Sequence, residues 1–444
     1  MMALFTEPEA RETIARIIAK SKAETCSVFI GADDTGNVRF ARNAVSTSGS
    51  TTNRRLFVTS SYGKKSGSAS GNAFDDETVE RVVRASEELA RLAPDDPEAM
   101  PPLGAQQLAP GTAWADTTAS LNGERRADAA RSGIEAAKAN DCVAAGFLNH
   151  TAAVSATGNS AGLFAYHRET SSDYTVTMRT PDGTGSGFGT TNSFDIARMD
   201  VAAASQRAAR KALASRGARA IEPGKYTVIL EPAASIDLLQ YLLFDLDARG
   251  ADEGRNSMAK PGGTRLGEKL FDPRVTIISD PAHPLAPART WDGEGRPLQR
   301  STWIANGVVE RFYYSRYWAE KQKREPTPFP ANFIMSGGTK TLDQMIAETE
   351  RGVLITRTWY IRGVDPQTLL FTGLTRDGTF FIENGRILHA VKNMRFNESP
   401  IVMLNNIDEL GLPERVSNAE TYLPSVVPPM RIRDFTFSSL SDAV

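Results

Sequence analysis

The chain has 444 residues, of which 41% are hydrophobic and 23% are charged, the balance typical of globular proteins. This length exceeds one ordinary hydrophobic core, so two or three domains are expected. The net charge of -2 gives no global field that would attract nucleic acid or an anionic membrane. No stretch approaches the roughly 20 apolar residues of a membrane span, and residues 1–20 lack the apolar centre of a secretory signal. We therefore expect a soluble, cytoplasmic protein with buried, reduced thiols at Cys26 and Cys142.

The first 220 residues are predicted to form an α+β domain of helices and antiparallel strands. Apolar residues three and four positions apart indicate helices, and short apolar runs between turn residues indicate strands. The elements expected in order are a helix over 7–22, strands Ser27–Gly31 and Val38–Ala41 around a turn at DDTGN, one strand RLFVTSS within the polar stretch 45–72, and a helix over 75–93 capped by Asp75 or Asp76.

A Pro-rich segment over 94–112 is predicted to be irregular. The elements expected after it are a helix over 124–139, a β-rich region from Cys142 to Thr191, and a helix from Ile196 to Ser215. Within the β-rich region, glycines occupy the alternate positions Gly183, Gly185, Gly187 and Gly189. They lack the Gly-Lys-Ser/Thr ending of a phosphate loop. Their period of two indicates instead a flat strand or a close backbone crossing.

The segment RGARAIEPGK is the best linker candidate, and we place the domain boundary between residues 220 and 221. The second domain, 221–444, is predicted to combine helices with a mixed, largely antiparallel sheet. Its expected elements are the strand Tyr226–Leu230, a helix within EPAASIDLLQYLLFDLDARG, a hairpin in STWIANGVVERFYYS, a helix in TLDQMIAETER, a strand in GVLITRTWYI, and a meander with turns at TRDG and ENGR. The whole chain is therefore assigned to the α+β class.

The sequence alone points to no complete catalytic motif. The four histidines, His150, His167, His283 and His389, are isolated, and no two have the spacing of a metal site. No Gly-x-Ser-x-Gly elbow is present. A catalytic triad assembled from distant residues stays open, because triads are recognised by geometry.

Four segments of the second half occur in an order that resembles the TldD/PmbA metallopeptidase family. They are the leucine-rich helix EPAASIDLLQYLLFDLDARG, WDGEGRPLQRSTWIANGVVERFYYS, MSGGTKTLDQMIAETERGVLIT and FTGLTRDGTFFIENGRI. The resemblance is clear over 225–444 and fainter over 5–220. In catalytic members the helix carries His-Glu-x-x-x-His, and a cysteine nearer the C-terminus completes the zinc site. The resemblance places Gln240, Tyr241 and Asp245 at the three helix positions, and the cysteine region, VSNAETYLPS, contains no cysteine.

The resemblance implies a PmbA (TldE)-like subunit without catalytic residues or a metal of its own. Glutamine and tyrosine are poor zinc ligands, and one carboxylate cannot hold the ion alone. The family then implies zinc in a TldD-type partner and a dimer that binds unfolded peptide as an added strand. Ser336, Gly337 and Gly338 are the candidates for the peptide-binding backbone edge. A plain turn before a helix at Leu342 explains them equally well.

Two other functions stay open at this point. The chain could be a self-associating peptide-binding or scaffold protein without enzymatic activity. It could also be an autonomous hydrolase in which Tyr241 and Asp245 form an acid/base pair. The expected partners are a TldD-like subunit or a second copy of this chain, with no nucleic acid and no membrane.

Overall fold

The computed structural model describes residues 4–418 and 421–441 and confirms the α+β class. The first half is built on one six-stranded antiparallel sheet, in the order β3-β2-β1-β4-β5-β6. Its strands are β1 (Thr25–Ala41), β2 (Ala44–Tyr62), β3 (Lys65–Gly71), β4 (Val143–Asn159), β5 (Phe164–Arg179) and β6 (Ser186–Ser193). Its helices are α1 (Glu7–Ala19), α2 (Asp76–Leu92), α3 (Asp116–Ala119), α4 (Gly123–Ala139) and α5 (Val201–Ala214).

Two separate apolar cores lie along the long strands of this sheet. One contains α1 and α2 with the first part of β1, and the other contains α4 and α5 with the last part of β1. The predicted helices over 7–22, 75–93 and 124–139 are confirmed, with Asp75 as the cap of α2. The helix expected to begin at Ile196 is divided instead, because the Asp200 carboxylate accepts a hydrogen bond from the N–H of Ala203 and so begins α5.

The turn predicted at DDTGN is wrong, because β1 runs straight through it. The carboxylate of Asp33 accepts a hydrogen bond from Asn53 Nδ2 at 3.0 Å, and that of Asp34 accepts one from Thr52, so both acids are paired across the strands. The real turn is at Arg42 and Asn43, whose φ angles of 52° and 57° fit a type I′ hairpin. The strand predicted at RLFVTSS is confirmed as part of β2, but the stretch 45–72 contains more strand than predicted, because β2 already begins at Ala44 and β3 follows it.

Three of the four alternate glycines, in β6 and just before it, pack against the backbone of α5, which confirms the predicted close crossing for them. Gly183 lies ahead of β6, and its Cβ position has nothing within 4 Å. A Cβ atom at Gly185, Gly187 or Gly189 would lie only 2.0–2.2 Å from a carbonyl oxygen of α5. Those carbonyls belong to alanines one turn apart, Ala212, Ala208 and Ala204 respectively. Small residues on both elements therefore set the spacing between this helix and the sheet.

The second half is centred on a closed ring of five strands. β14 (Arg351–Asp365) pairs with β7 (Gly224–Leu230), and the order continues through β21 (Met430–Leu440), β17 (Met394–Glu398) and β15 (Leu370–Glu383), which pairs back with β14. Only the β14–β7 pairing in this ring is parallel, so the largely antiparallel prediction is confirmed. Two further strands, β16 (Arg386–Ala390) and β18 (Ile407–Leu410), attach to the ring.

A second six-stranded sheet lies beside the ring, in the order β12-β11-β10-β13-β20-β19. Its strands are β10 (Ile277–Ser279), β11 (Ser301–Ala305), β12 (Val308–Val309), β13 (Phe333–Met335), β19 (Glu414–Val416) and β20 (Ser425–Val427), and a small hairpin joins β8 (Ala259–Lys260) to β9 (Gly263–Thr264). The helices are α6 (Pro232–Asp245), α7 (Ala248–Asp252), α8 (Arg316–Gln322), α9 (Leu342–Ala347) and α10 (Pro400–Asn405). One continuous core contains α6, the ring and part of this sheet. None of the described helices is long and apolar enough to cross a bilayer.

The turn predicted at TRDG is wrong, whereas the one at ENGR is confirmed between β15 and β16. β15 continues through TRDG with a register irregularity opposite β14. Asp377, with φ of 52°, points its carboxylate at the buried guanidinium of Arg357. The same carboxylate accepts a hydrogen bond from Ser186 on β6, so this acid joins the two halves.

The Pro-rich segment over 94–112 is irregular, as predicted, but it is fixed on both halves of the molecule. Glu98 accepts two hydrogen bonds of 2.9 Å from the Arg249 guanidinium, and the Pro101 carbonyl accepts one from Arg316. In the first half, the side chain of Asn159 on β4 donates a hydrogen bond to the carbonyl of Leu103. The boundary placed between residues 220 and 221 stays a prediction.

Gly187→Ala should destabilise the first half strongly. Its Cβ would lie 2.2 Å from Ala208 O and 2.4 Å from Ala212 N, and backbone atoms cannot move aside as a side chain can. We expect a loss of about 2–3 kcal/mol in the free energy of unfolding, measured by urea titration. Gly263→Ala is the matched control, since its Cβ meets nothing within 4 Å. Equal unfolding midpoints for the two variants would contradict the close packing of β6 on α5.

Candidate functional site

Helix α6 carries Gln240, Tyr241 and Asp245, the positions that the sequence resemblance matched to a zinc helix. Glu231 precedes the helix in extended conformation and Pro232 occupies its first turn, where a missing N–H costs nothing. The leucines predicted to face a core, Leu238, Leu239, Leu242, Leu243 and Leu246, are all buried. The opposite face is buried too, since Asp237 and Gln240 are 1% and 0% exposed.

The three positions singled out from the sequence lie in three different surroundings. The Gln240 side-chain oxygen accepts a 2.9 Å hydrogen bond from the N–H of Tyr422. The ring of Tyr241 stacks on Phe371, with 4.5 Å between centroids. The Asp245 carboxylate, at the end of the helix, accepts a short hydrogen bond from the Ser257 hydroxyl.

The segment VSNAETYLPS, which the resemblance matched to a cysteine region, contacts this helix. Asn418 donates from its side-chain nitrogen to Asp237 Oδ2 and to the carbonyl of Ala233, both at 2.9 Å. The Thr421 hydroxyl donates to Asp237 Oδ1 at 3.0 Å. Residues 419 and 420, which fall in this segment, lie outside the described residues. Both oxygens of one buried carboxylate are therefore occupied by side chains of the approaching segment.

Sequence reasoning missed Asp237, although a signal was available. A single acidic residue stands in the otherwise apolar run ASIDLLQYLL, and a buried charge requires hydrogen-bonding partners. Those partners are more than 180 positions away in the chain, so no local pattern could have named them. We call Asp237, Gln240, Asn418, Thr421 and the backbone of Tyr422 the α6 clasp.

The structure strongly perturbs the pKa of Asp245. Burial raises the pKa of this carboxyl to about 6. The hydrogen bond from Ser257 opposes the rise, and the nearby charge of Asp247 adds to it. A carboxyl group with this pKa can exchange protons near neutrality. The pairing of Asp245 with Tyr241 as acid and base stays a prediction.

Two ion pairs flank the start of α6. Lys211 of α5 donates to both carboxylate oxygens of Glu231 at 2.7 Å, and Thr356 of β14 adds a third contact at 3.3 Å. The second ion pair joins Arg357, one residue further along β14, to Asp377. Burial lowers the pKa of Arg357, and the charges of Asp377 and Asp237 oppose that change. These contacts fix α6 between the first half and the ring of strands.

The side chains at these positions do not fit a zinc ion. Zinc in proteins is held by three or four nitrogen, sulfur or carboxylate ligands that converge on one point. Across residues 4–418 and 421–441, no three His, Cys, Asp or Glu side chains are grouped so that they could share a metal. The oxygens of Asp237 and Gln240 already accept hydrogen bonds from the α6 clasp. The expectation that the metal belongs to a partner stays a prediction.

The candidate peptide-binding residues lie in the short connection between β13 and α9, which begins at Leu342 as expected. The N–H of Gly338 donates to the carbonyl of Gly411 at 2.8 Å. A Cβ on Gly337 would lie 2.4 Å from that carbonyl oxygen. The backbone that approaches these glycines is thus the chain's own, while Ser336 and Gly337 are exposed. Their assignment to peptide binding stays a prediction.

Comparison with known families agrees with this architecture. The family model described as PmbA/TldA metallopeptidase domain 1 matches residues 26–90, the central domain matches 117–216, and the C-terminal domain matches 223–439. These three domains define a metallopeptidase-type fold over most of the chain. The chain belongs to the PmbA/TldD metallopeptidase family, which confirms the resemblance seen in the sequence.

Individual relatives are distant. An uncharacterized protein of Methanocaldococcus jannaschii is 26% identical over 239 residues, which are 48% of this chain and 53% of that protein. A protein named metalloprotease from Methanothermobacter thermautotrophicus is 25% identical over 254 residues, 52% of this chain and 54% of that protein. The chain thus matches about half the length of these curated relatives.

Two solved structures share the fold over nearly the whole chain. TldE from Thermococcus kodakarensis has a TM-score of 0.86 at 17% identity, covering 97% of this chain and 100% of that one. A protein from Thermotoga maritima, described as a candidate modulator of a DNA gyrase, has a TM-score of 0.84 at 18% identity, covering 96% and 100%. At such identities the likeness shows the fold alone.

The contact between Asp237 and Asn418 predicts strong coupling between the two side chains. Asp237→Ala and Asn418→Ala should each lower the free energy of unfolding by about 1–3 kcal/mol, because each removes a hydrogen bond to a buried carboxylate. The double variant should lose less than the sum, with a coupling energy of about 1 kcal/mol or more. Asn140→Ala, which removes a hydrogen bond at the end of α4, serves as the control. Its effect on the free energy of unfolding should simply add to that of Asp237→Ala.

The raised pKa of Asp245 predicts a pH-dependent effect on stability. Between pH 3.8 and about 6, Asp245 keeps its proton in the folded protein and releases it in the unfolded chain. The contribution of this group to the free energy of unfolding is therefore full below about pH 4 and is lost as the pH rises to about 6. Asp245→Asn cannot ionise and avoids this loss. The urea midpoint of Asp245→Asn, relative to that of the native protein, should therefore rise between pH 4 and pH 7. The exposed Asp95→Asn should give no such gain, and parallel pH profiles for both variants would rule the effect out.

Proposed function

We propose that this chain is a non-catalytic, PmbA/TldE-like subunit of a heterodimeric zinc metallopeptidase of the TldD/PmbA type. The proposal rests on the hydrogen bonds that the polar side chains of α6 make. Side chains of the helix and of the segment approaching it bind one another through the α6 clasp, which supports the proposal. The side-chain oxygens engaged in this way are occupied by hydrogen bonds and do not serve as ligands for a metal that would polarise a peptide carbonyl.

The hydrolytic step would then belong to a TldD-type partner that holds zinc, with unfolded peptide as the substrate. This chain would complete the chamber in which the peptide is bound, and Ser336, Gly337 and Gly338 are our candidates for contact with it. Main-chain pairing suits such a role because every residue of an extended peptide offers the same N–H and C=O groups. We place the complex in the cytoplasm.

The test compares the purified chain alone with the chain co-purified with a TldD-type subunit. We expect the chain alone to carry no zinc above the buffer level and to leave an unstructured peptide intact. Adding the partner should bring stoichiometric zinc and cleavage that a chelator abolishes. A matched complex with the glutamate of the partner's zinc helix changed to glutamine should bind zinc without cleaving.

Two results would point to the other functions. Cleavage by the chain alone in the presence of chelator, lost in Asp245→Asn, would support an autonomous hydrolase. Peptide binding by the chain alone, unchanged by zinc and by the partner, would support a binding or scaffold protein. Either outcome would replace the proposal.

A further inference from the structure

A row of polar residues crosses the helix-covered face of the first sheet. Directly paired residues of neighbouring strands point to the same face. With one residue per strand from β2 to β6, the row consists of Ser50, Gly36, His150, Ser172 and Ser193. Two positions further along β1, β4 and β5, the paired residues already belong to the apolar core that contains α4 and α5. The polar row therefore borders this core and forms no part of it.

The side chain of Arg126, near the start of α4, lies directly over this row. A Cβ atom at Gly36 would be 2.2 Å from Arg126 Nη1 and 2.4 Å from His150 Cε1, so the guanidinium and the imidazole meet above this glycine. Arg126 Nη2 donates to the Ser50 hydroxyl at 3.1 Å, and Nη1 donates to the carbonyl of Leu121 at 3.4 Å. Both acceptors are neutral, although Arg126 is only 6% exposed.

The guanidinium of Arg126 is thus a buried positive charge without a counter-charge. Burial lowers the pKa of Arg126, and no acid among the described residues opposes this change. Asp34, whose charge acts on His150, accepts a hydrogen bond from Thr52. Buried charges in proteins are normally paired, because an isolated ion is costly to remove from water. An anion from solution would supply the missing charge.

Three polar atoms around this charge are buried and have no hydrogen-bond partner among the described residues. They are Nε of Arg126, Nδ1 of His150 and the hydroxyl oxygen of Ser172. His150 and Ser172 are 6% and 1% exposed and are directly paired between β4 and β5. Buried polar groups nearly always have a partner, so three such atoms on adjoining residues indicate a site for a polar ligand.

The protonation state of His150 narrows the chemistry of this ligand. Burial and the charge of Arg126 lower the pKa of His150 to about 4, so its imidazole is neutral near neutral pH. A hydrogen bond to the backbone of Gly36 favours the protonated ring, so the ring nitrogen that makes this bond is the donor. Nδ1 then carries the free lone pair. The ligand must therefore accept from Arg126 Nε–H and donate to His150 Nδ1.

We propose that Arg126, His150 and Ser172 form a binding site for inorganic phosphate. A guanidinium presents parallel N–H groups that match the oxygens of phosphate. Hydrogen phosphate also carries a P–OH group that can donate to the imidazole, whereas sulfate and chloride carry no proton. The Ser172 hydroxyl can donate to a further phosphate oxygen. Because the three residues are buried beneath α4, the free ion fits this place better than the phosphate group of a larger molecule.

This site is independent of the proposed peptidase role. It lies between α4 and the first sheet, whereas that role rests on α6 in the second half. Phosphate binding requires neither zinc nor a TldD-type partner. The two proposals can therefore fail separately.

The first test is equilibrium dialysis of the full chain against radiolabelled inorganic phosphate, with sodium chloride holding the ionic strength constant. We expect saturable binding of one phosphate per chain. Arg126→Gln removes the charge and should weaken binding about tenfold or more. Arg125→Gln, at the exposed neighbouring position of α4, is the matched control and should leave binding unchanged. Ser172→Ala, which alters the packing very little, should weaken binding several-fold.

The second test observes the native chain directly. The ring nitrogens of its four histidines are followed by NMR while phosphate is added. The signal of His150 should shift, because Nδ1 gains a hydrogen bond, and the other three should stay unchanged. His150→Gln identifies the signal by its disappearance.

The proposal is overturned if the native chain shows no saturable binding, or if Arg126→Gln and Arg125→Gln bind phosphate equally well. Sulfate that displaces the label as effectively as unlabelled phosphate would overturn the assignment to phosphate. A His150 signal that stays unchanged at saturating phosphate would place the bound ion elsewhere and would equally overturn this site.

Discussion

The buried carboxylate of Asp237 is the constraint on which the second half of the structure depends. A charge inside a leucine-rich helix is costly unless hydrogen-bond donors reach it. Asn418 and Thr421 provide these donors from the far end of the chain. The helix, the strands that hold it and the segment that covers it are therefore tied together at one point. The same contacts use the polar groups that would otherwise face a ligand.

This arrangement connects packing with function. In a zinc peptidase, the metal itself cross-links a helix to a distant ligand, and its binding energy contributes to folding. Here hydrogen bonds of the α6 clasp make the corresponding cross-link between α6 and residues 418–422. Lys211, Glu231 and Thr356 fix the start of the helix in the same manner. The clasp thus occupies both carboxylate oxygens of Asp237 and the side-chain oxygen of Gln240, while the side-chain oxygen of Asn418 is buried without a hydrogen-bond partner among the described residues.

Local sequence patterns predicted the regular elements of this fold well. The leucine spacing of α6, the cap of α2 and the alternate glycines of β6 each reflect interactions within a few residues or with one neighbouring element. The patterns failed at DDTGN and TRDG, where residues typical of turns lie inside strands. At both places an acid that looked like a turn residue is paired across the sheet, Asp33 with Asn53 and Asp377 with Arg357.

The candidate site was predictable only in part, for the same reason. The resemblance located Gln240, Tyr241 and Asp245, but it could not show that they face separate partners. Asp237 was visible as an isolated acid, while its partners depend on contacts across more than 180 residues. The closed state of the site is a tertiary property, which one sequence does not contain in any local pattern.

We propose that α6 is held by hydrogen bonds and has no affinity for zinc. A ligand that binds only the folded state raises the unfolding midpoint as its concentration rises, by about 2.7 kcal/mol of added stability at 100 times the dissociation constant. Thermal unfolding of the isolated chain should therefore give the same midpoint in chelator and in increasing zinc. A midpoint that climbs with zinc in the native chain, and no longer climbs in Gln240→Ala, would contradict the account.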